Sequence, residues 1–393
     1  TQRGKAAVAD KHIRAQMALE CGIDLVIELP VIAATSSAET FAQGGVCLLD
    51  SLGIVSHISF GAEANTTSDI DMLDKLADFF AFEPPAFQKY LDLELKSGCS
   101  FPAARAKAAV LCLQQMAFDS MNTDTVAQLV QLLASPNNIL AIEYMKAIRR
   151  QNLKLTPSVV TRNGAGYHDS DTDTELASAS ALRKFIFQDN SCQETDSEVL
   201  NQMLTRTVPD SVRELLLTAH KNHAFLQEDD FSDLLYYELR RKFLHSAFSD
   251  SDTECSDLEK RIANNLETFT CWSDFVSDLK TKNQTYTAIS RHLLHAFLGI
   301  DAELLAAAKN CHYAPYARIL GFRKDASPLL KELQEHSQIP LLRKIAKERQ
   351  SLTPEQQNLL DLDVYATDLY NRILFSKTGI QRKNEYRQPL IIL

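Results

Sequence analysis

Four short segments of the chain carry polar groups of the kind that hold a nucleotide: SFGAE at Ser59–Glu63, SPNNIL at Ser135–Leu140, VVTRNGAGYHD at Val159–Asp169, and ASASALRKF at Ala177–Phe185. Gly61 stands at the exit of a predicted strand, where a missing Cβ lets adenosine or phosphate approach the backbone, and Glu63 beside it could orient nearby groups. Asn137 and Asn138 directly precede a strongly periodic helix. One asparagine can cap that helix, which leaves the other's amide and carbonyl for a base edge or a ribose. Arg162 ends the third strand candidate, ahead of Asn163 and a glycine-containing loop with His168, and can clamp phosphate with a fork that lysine lacks. Ser178, Ser180 and Arg183 bring hydroxyls, free N–H groups and a guanidinium to a helix start, a place suited to polyphosphate. Each segment alone also reads as an ordinary turn or cap; their coincidence favours nucleotide chemistry.

The elements that must position these residues follow from apolar spacing. A helix is expected over Val8–Cys21, ending at Gly22, then a buried strand at Asp24–Pro30, a helix at Ser36–Leu52 and a second strand at Val55–Phe60. This order implies a right-handed crossover and a parallel sheet, with ligands bound beyond the carboxyl ends of its strands. Helical segments follow at Asp69–Phe80, Pro85–Lys96 and Phe101–Met116, then a short one ending near Ala134 and another at Ile139–Arg149, before the third strand at Leu155–Val160. Beyond about Phe187 strand-like runs almost vanish and long amphipathic segments take over. The expected class is α/β: a Rossmann-like domain with a parallel sheet over residues 1–190, then an all-helical domain over 191–393.

In the helical part Lys280, Lys282 and Arg291 flank Tyr286, and Arg318, Arg323, Lys324, Arg343 and Lys344 come later. Cations around an aromatic suit a phosphate backbone and an unstacked base. At the front, Arg3 and Gly4 read as a loop able to close over a charged substrate. The net charge of −10 argues against indiscriminate nucleic-acid binding but leaves room for a local basic face. The eight cysteines form no CxxC pair, so free thiols in a reducing cytoplasm explain them better than disulfides or zinc. No run is long and apolar enough for a membrane span. HExxH, GxxxxGK[ST] and GxSxG patterns are missing, which removes the usual anchors of metalloprotease, P-loop and serine-hydrolase chemistry. No metal-ligand spacing stands out, so any Mg²⁺ would arrive with ATP.

TQRG, DLVIELP, SFGAE, SPNNILAIEYMKAI, TRNGAGYHD, ASASALR and YARILGF together resemble the tRNA(Met) cytidine acetate ligase family, over nearly the whole chain. The resemblance implies a nucleotidyltransferase-type domain followed by a helical tRNA-binding domain. It implies that acetate is activated with ATP to acetyl-adenylate, and that the acetyl group passes to the exocyclic amine of the wobble cytidine of elongator tRNA(Met). ATP contacts would fall on Gly61, Asn137 and Arg162, with Asn163 beside the last. ASASALR is similar to the serine/arginine phosphate motif of the wider superfamily, which points to Ser178, Ser180 and Arg183. Two other readings stay open: an adenylyltransferase for a small cofactor precursor, and an RNA-binding protein with a degenerate nucleotidyltransferase domain.

Members of this family open with a glycine-containing strand and an EYNPFHNGH-like loop whose histidines face the ATP phosphates. None of the ten histidines here stands in an HxGH arrangement, and the sequence starts at what resembles the loop after the second strand. About forty residues of the family pattern, with one central strand, are therefore expected to be absent. These histidines would stabilise charge on the transferring phosphoryl group. The 393 residues alone are accordingly expected to form acetyl-adenylate at well below a normal rate.

Overall fold

A computed structural model describes residues 4–116, 122–161, 179–187, 195–248 and 257–393. The apolar run near residue 25 forms strand β1 (Leu25–Glu28), after a helix at Lys11–Glu20 whose N-terminus is capped by Asp10, accepting from the N–H groups of His12 and Ile13. Strands β2 (His57–Ala62) and β3 (Thr156–Thr161) pair in parallel, from His57 opposite Thr156 to Ala62 opposite Thr161. Between them run helices Thr67–Phe82, Pro85–Lys96, Phe101–Met116, Thr123–Ala134 and Pro136–Arg150. Their apolar faces meet around Phe79, Phe80 and Phe87, three rings packed edge to face.

Exposure alternates along β2 and β3. Ile58 and Ala62 are buried, Ile58 in a cluster with Val46 of the Ala38–Ser51 helix and Ala147 and Ile148 of the Pro136–Arg150 helix. His57, Ser59 and Gly61, with Thr156, Ser158 and Val160, are exposed. The face that carries Gly61 is thus open, with Val160 at 54% exposure.

The α/β part followed by a helix-dominated part is the class the sequence implied, but the sheet pairing differs. Among the described residues β1 does not join β2. It pairs antiparallel with β4 (Ala317–Phe322), which also carries β5 (Leu341–Leu342) and β6 (Ile391–Ile392) in parallel. The second half is therefore not all helical. The reason is burial: residues 317–321 are all buried, so ARILGF shows no polar–apolar alternation to betray a strand. Packing also joins the two halves of the chain. The largest core cluster combines Ile32 with Trp272, Phe297, Leu359 and Leu360, and a smaller one joins Cys47 and Leu48 to Ala314, Ala317 and Leu333.

A buried ion cluster locks β1 to the C-terminal segment. Glu28 and Arg318 lie directly across the β1–β4 ladder, 2.9 Å apart. Glu385, with 1% of its side chain exposed, takes His12 Nε2 at 3.0 Å, Lys11 Nζ at 2.9 Å and the Arg318 guanidinium. Beside it, Asp363 accepts from Val31 N–H at 2.7 Å and from the Tyr316 hydroxyl at 2.6 Å. Burial, with Glu28 nearby, pushes Asp363 up to about 7. Among the described residues no helix is long and apolar enough to cross a membrane.

Candidate functional site

The carboxyl ends of β2 and β3 meet the start of the Pro136–Arg150 helix, and Glu63 joins them. Its carboxylate accepts from Ser135 Oγ and from Asn137 Nδ2, each at 2.5 Å, while its own N–H donates to Asn138 Oδ1 at 2.8 Å. Thr161 Oγ at the end of β3 donates to Ala64 O at 3.0 Å, which fixes the same loop from the other strand. Beyond it, Thr66 and Asp69 form a capping box at the next helix, and Asp69 also accepts from Gln128 Nε2 at 2.7 Å. The Gln128 hydrogen bond is the main reason that Asp69 lies below the usual carboxylate value.

The asparagine pair does something other than the capping expected of it. Ser135 is the cap residue, without a side-chain cap bond, and Pro136 fills the first turn. Both asparagines instead tether the helix start to the Glu63 loop, Asn138 from a position only 1% exposed. The far half of the helix is clamped by charge. Lys146 Nζ lies 2.7 Å from Glu39 and 2.8 Å from Glu143, and Arg105, stacked on Phe80, lies 2.7 Å from Glu143. Burial acts to raise Glu39, but Lys146, with Arg150 and Arg105, overrides it and holds the carboxyl below its ordinary value. The helix N-terminus is therefore held in place at the carboxyl ends of β2 and β3, with the Glu63 carboxylate beside it.

Gly61 adopts no left-handed conformation, so the strand itself does not demand glycine there. Gly61 is exposed and lies opposite Val160 on β3. Arg162 and Asn163 follow Thr161 in the chain and, with His168 and Ser178, lie outside the described residues. Ser180 and Arg183 sit in the Ala179–Phe187 helix, whose Ile186 and Phe187 pack against the large core. Among the described residues no hydrogen bond or ion pair joins Ser180 or Arg183 to Gly61, Glu63 or Asn137. The structure thus brings together Gly61, Glu63, Ser135, Asn137, Asn138 and Thr161. Thr161 was not singled out from sequence, and Ser135 and Asn138 were read only within their segment, not as partners of Glu63; the signal was a carboxylate just past one strand and an amide pair at a helix start, complementary groups some seventy residues apart.

The six expected RNA contacts divide. Lys280 and Lys282 are exposed, just before the Tyr286–Leu298 helix that carries Tyr286 and Arg291. Tyr286 is half-buried, with Lys5 over its ring at 5.6 Å, and burial with Glu228 and Asp229 nearby pushes its phenol up to about 12. Arg323 pairs with Asp325 at 2.8 Å on the loop after β4. Arg318 is a correction: it is 4% exposed and held by Glu28 and Glu385, so its charge is spent within the protein and is not an exposed cation for RNA. Sequence shows its charge but not its burial. At the front, Gly4 is fixed rather than free, accepting from Ser290 Oγ at 2.8 Å.

The family model described as HIGH Nucleotidyl Transferase matches residues 1–386. A tRNA(Met) cytidine acetate ligase of Clostridium perfringens (strain SM101 / Type A) is 35% identical, over 98% of this chain and 88% of the relative. One of Thermoanaerobacter sp. (strain X514) is also 35% identical, over 100% of this chain and 90% of the relative. The crystal structure of Thermotoga maritima TmcAL in its apo form superposes with a TM-score of 0.84 at 27% identity, covering 100% of this chain and 90% of that one. The same protein bound with alpha-thio ATP gives 0.81 at 26% identity, covering 89% of that chain.

Proposed function

The chain belongs to the tRNA(Met) cytidine acetate ligase family, and from that premise we propose that it is an ATP-dependent ligase that forms N4-acetylcytidine at the wobble position of elongator tRNA(Met). Acetate oxygen attacks the α-phosphorus of ATP and pyrophosphate leaves. The cytidine amine then attacks the acyl carbon of acetyl-adenylate, releasing AMP. The observation that carries this reading is the Glu63 cluster: it holds the start of the Pro136–Arg150 helix against the open ends of β2 and β3, in a chain similar to these ligases along nearly its whole length. Catalysis of this kind rests on positioning and charge stabilisation.

Within that reading, Gly61 admits the nucleotide, Asn137 contacts it, and Arg162 with Asn163 meets its phosphates. Ser178, Ser180 and Arg183 receive the polyphosphate, and Mg²⁺ arrives bound to ATP. Residues 1–190 handle ATP, while residues 191–393 hold the RNA through Lys280, Lys282, Tyr286, Arg291 and Arg323. The setting is cytoplasmic.

The test supplies the natural full-length protein with ATP, labelled acetate and tRNA(Met). Acetate-dependent ATP–pyrophosphate exchange and label on the wobble cytidine are the expected results. Exchange that needs a different acid would favour an adenylyltransferase. Binding of tRNA with no adenylate formed would favour a degenerate catalytic domain. Either outcome overturns the ligase reading.

A further inference from the structure

We propose that a second cavity, distant in sequence from the Glu63 cluster, is a docking site for backbone phosphates of the RNA. This rests on the ligase reading for the identity of the RNA. The cavity has a volume of about 460 Å³ and lies between β4, the segment 343–347 and the C-terminal segment 385–392. Arg343, Lys344, Lys347 and Arg387 line it, and all four are exposed.

Charge argues for an anion here. Lys344, Lys347 and Arg387 have no ion-pair partner among the described residues, and Arg343 reaches Glu348 only at 4.0 Å. Glu348 is engaged otherwise: its Oε2 accepts from the backbone N–H groups of Arg343 and Lys344, at 2.6 and 2.7 Å, and so shapes the turn that carries both cations. The carboxylate in the cavity lining, Glu385, is consumed by Lys11, His12 and Arg318. Lys344, Lys347 and Arg387 therefore share one concavity without an ion-pair partner among the described residues, in a chain whose net charge is −10. Unpaired cations on one wall attract an anion.

Shape and rigidity argue for a polymer backbone. The inner wall is β4, bonded on its length to β1, β5 and β6 and braced by the buried ion cluster, so the cations stand on a preorganised frame. Tyr386, 37% exposed, lines the same cavity and offers a ring for a base or ribose beside the phosphates. A free nucleotide presents the same phosphate chemistry, so the experiment has to separate the two sources.

The experiment measures tRNA(Met) binding to the full-length protein against salt concentration, for the wild type and for Lys344→Ala/Lys347→Ala/Arg387→Ala. The triple variant is expected to bind about 30-fold or more weaker at low salt, and its log–log salt slope should fall by about 2, from a loss of roughly 0.7–0.9 per phosphate contact. Lys344→Arg/Lys347→Arg should keep both affinity and slope. Acetate-dependent ATP–pyrophosphate exchange without RNA, together with the thermal midpoint, reports separately on the nucleotide site and the fold. Wild-type affinity and slope in the triple variant would overturn the docking site and leave the ligase reading intact. Loss of exchange in parallel with loss of binding, at an unchanged midpoint, would assign the cavity to nucleotide phosphate and overturn the RNA assignment. A wild-type protein that binds no tRNA(Met) would overturn both readings.

Discussion

Glu385→Ala is expected to lower the free energy of unfolding by about 3–5 kcal/mol, because it removes one partner from a buried ion cluster and leaves cations uncompensated. Arg318 and Lys11 would then share Glu28 alone, and His12 would lose the acceptor at its Nε2. Burial by itself would raise the Glu385 pKa; the hydrogen bond from His12 and the charges of Lys11 and Arg318 outweigh it and hold the carboxyl well below 4.5. Its ionised form therefore stabilises the fold fully above the ordinary carboxylate range. That contribution is lost as the pH falls below about 4.5 towards the folded-state value. Urea unfolding at neutral pH and at a series of acidic pH values measures both effects, and the variant should show a flatter acid limb than the wild type. A cycle with Arg318→Met should give a double variant less destabilised than the sum of the singles, since each single strands the other's charge. A neutral-pH cost within about 0.5 kcal/mol, the range of ordinary surface substitutions, would show that the cluster is not what joins β1 to the C-terminal segment.

How much of this was legible in sequence depends on the distance over which each feature is encoded. The helices between β2 and β3 could be read locally, because apolar spacing, Pro85 and Pro136 at first turns, and a Thr66 cap are all nearest-neighbour signals. The placement of Gly61 near a strand exit and of Asn137 at a helix start was legible for the same reason, because both are local patterns. The pairing of β1 with β4 was not, since it joins Glu28 to Arg318 across 290 positions and both strands are short. A usable clue existed. LVIE and ARILGF each carry one charge among apolar residues, of opposite sign, which is a cross-strand pairing signal once the two strands are considered together. The reading of Arg318 as an RNA contact failed on the same point, because residue type alone does not report burial.

Replacing Glu63 by glutamine is expected to slow acetate-dependent ATP–pyrophosphate exchange by about 10- to 100-fold, the cost of losing a charge-assisted bond or of shifting a contact group by about an ångström. The carboxylate now accepts two donors, Ser135 Oγ and Asn137 Nδ2, at 2.5 Å each. A glutamine amide can still accept from Asn137 Nδ2 through its oxygen, but its nitrogen can only donate, so the Ser135 hydroxyl must reverse its role and the charge that strengthens both bonds is lost. Asn137→Ala should give a similar loss, with the double variant little worse than either single, because the two residues act as one unit. Asn138→Ala should differ in kind: it strands the Glu63 N–H at a nearly buried position and should lower stability as well as activity. The informative measurement is the ATP dependence of exchange in each variant. A contact to bound ATP appears in KM, whereas positioning that matters only as the phosphoryl group transfers appears in kcat. Wild-type values of both in Glu63→Gln would reduce the cluster to a structural turn and remove the main geometric support for a nucleotide at these strand ends.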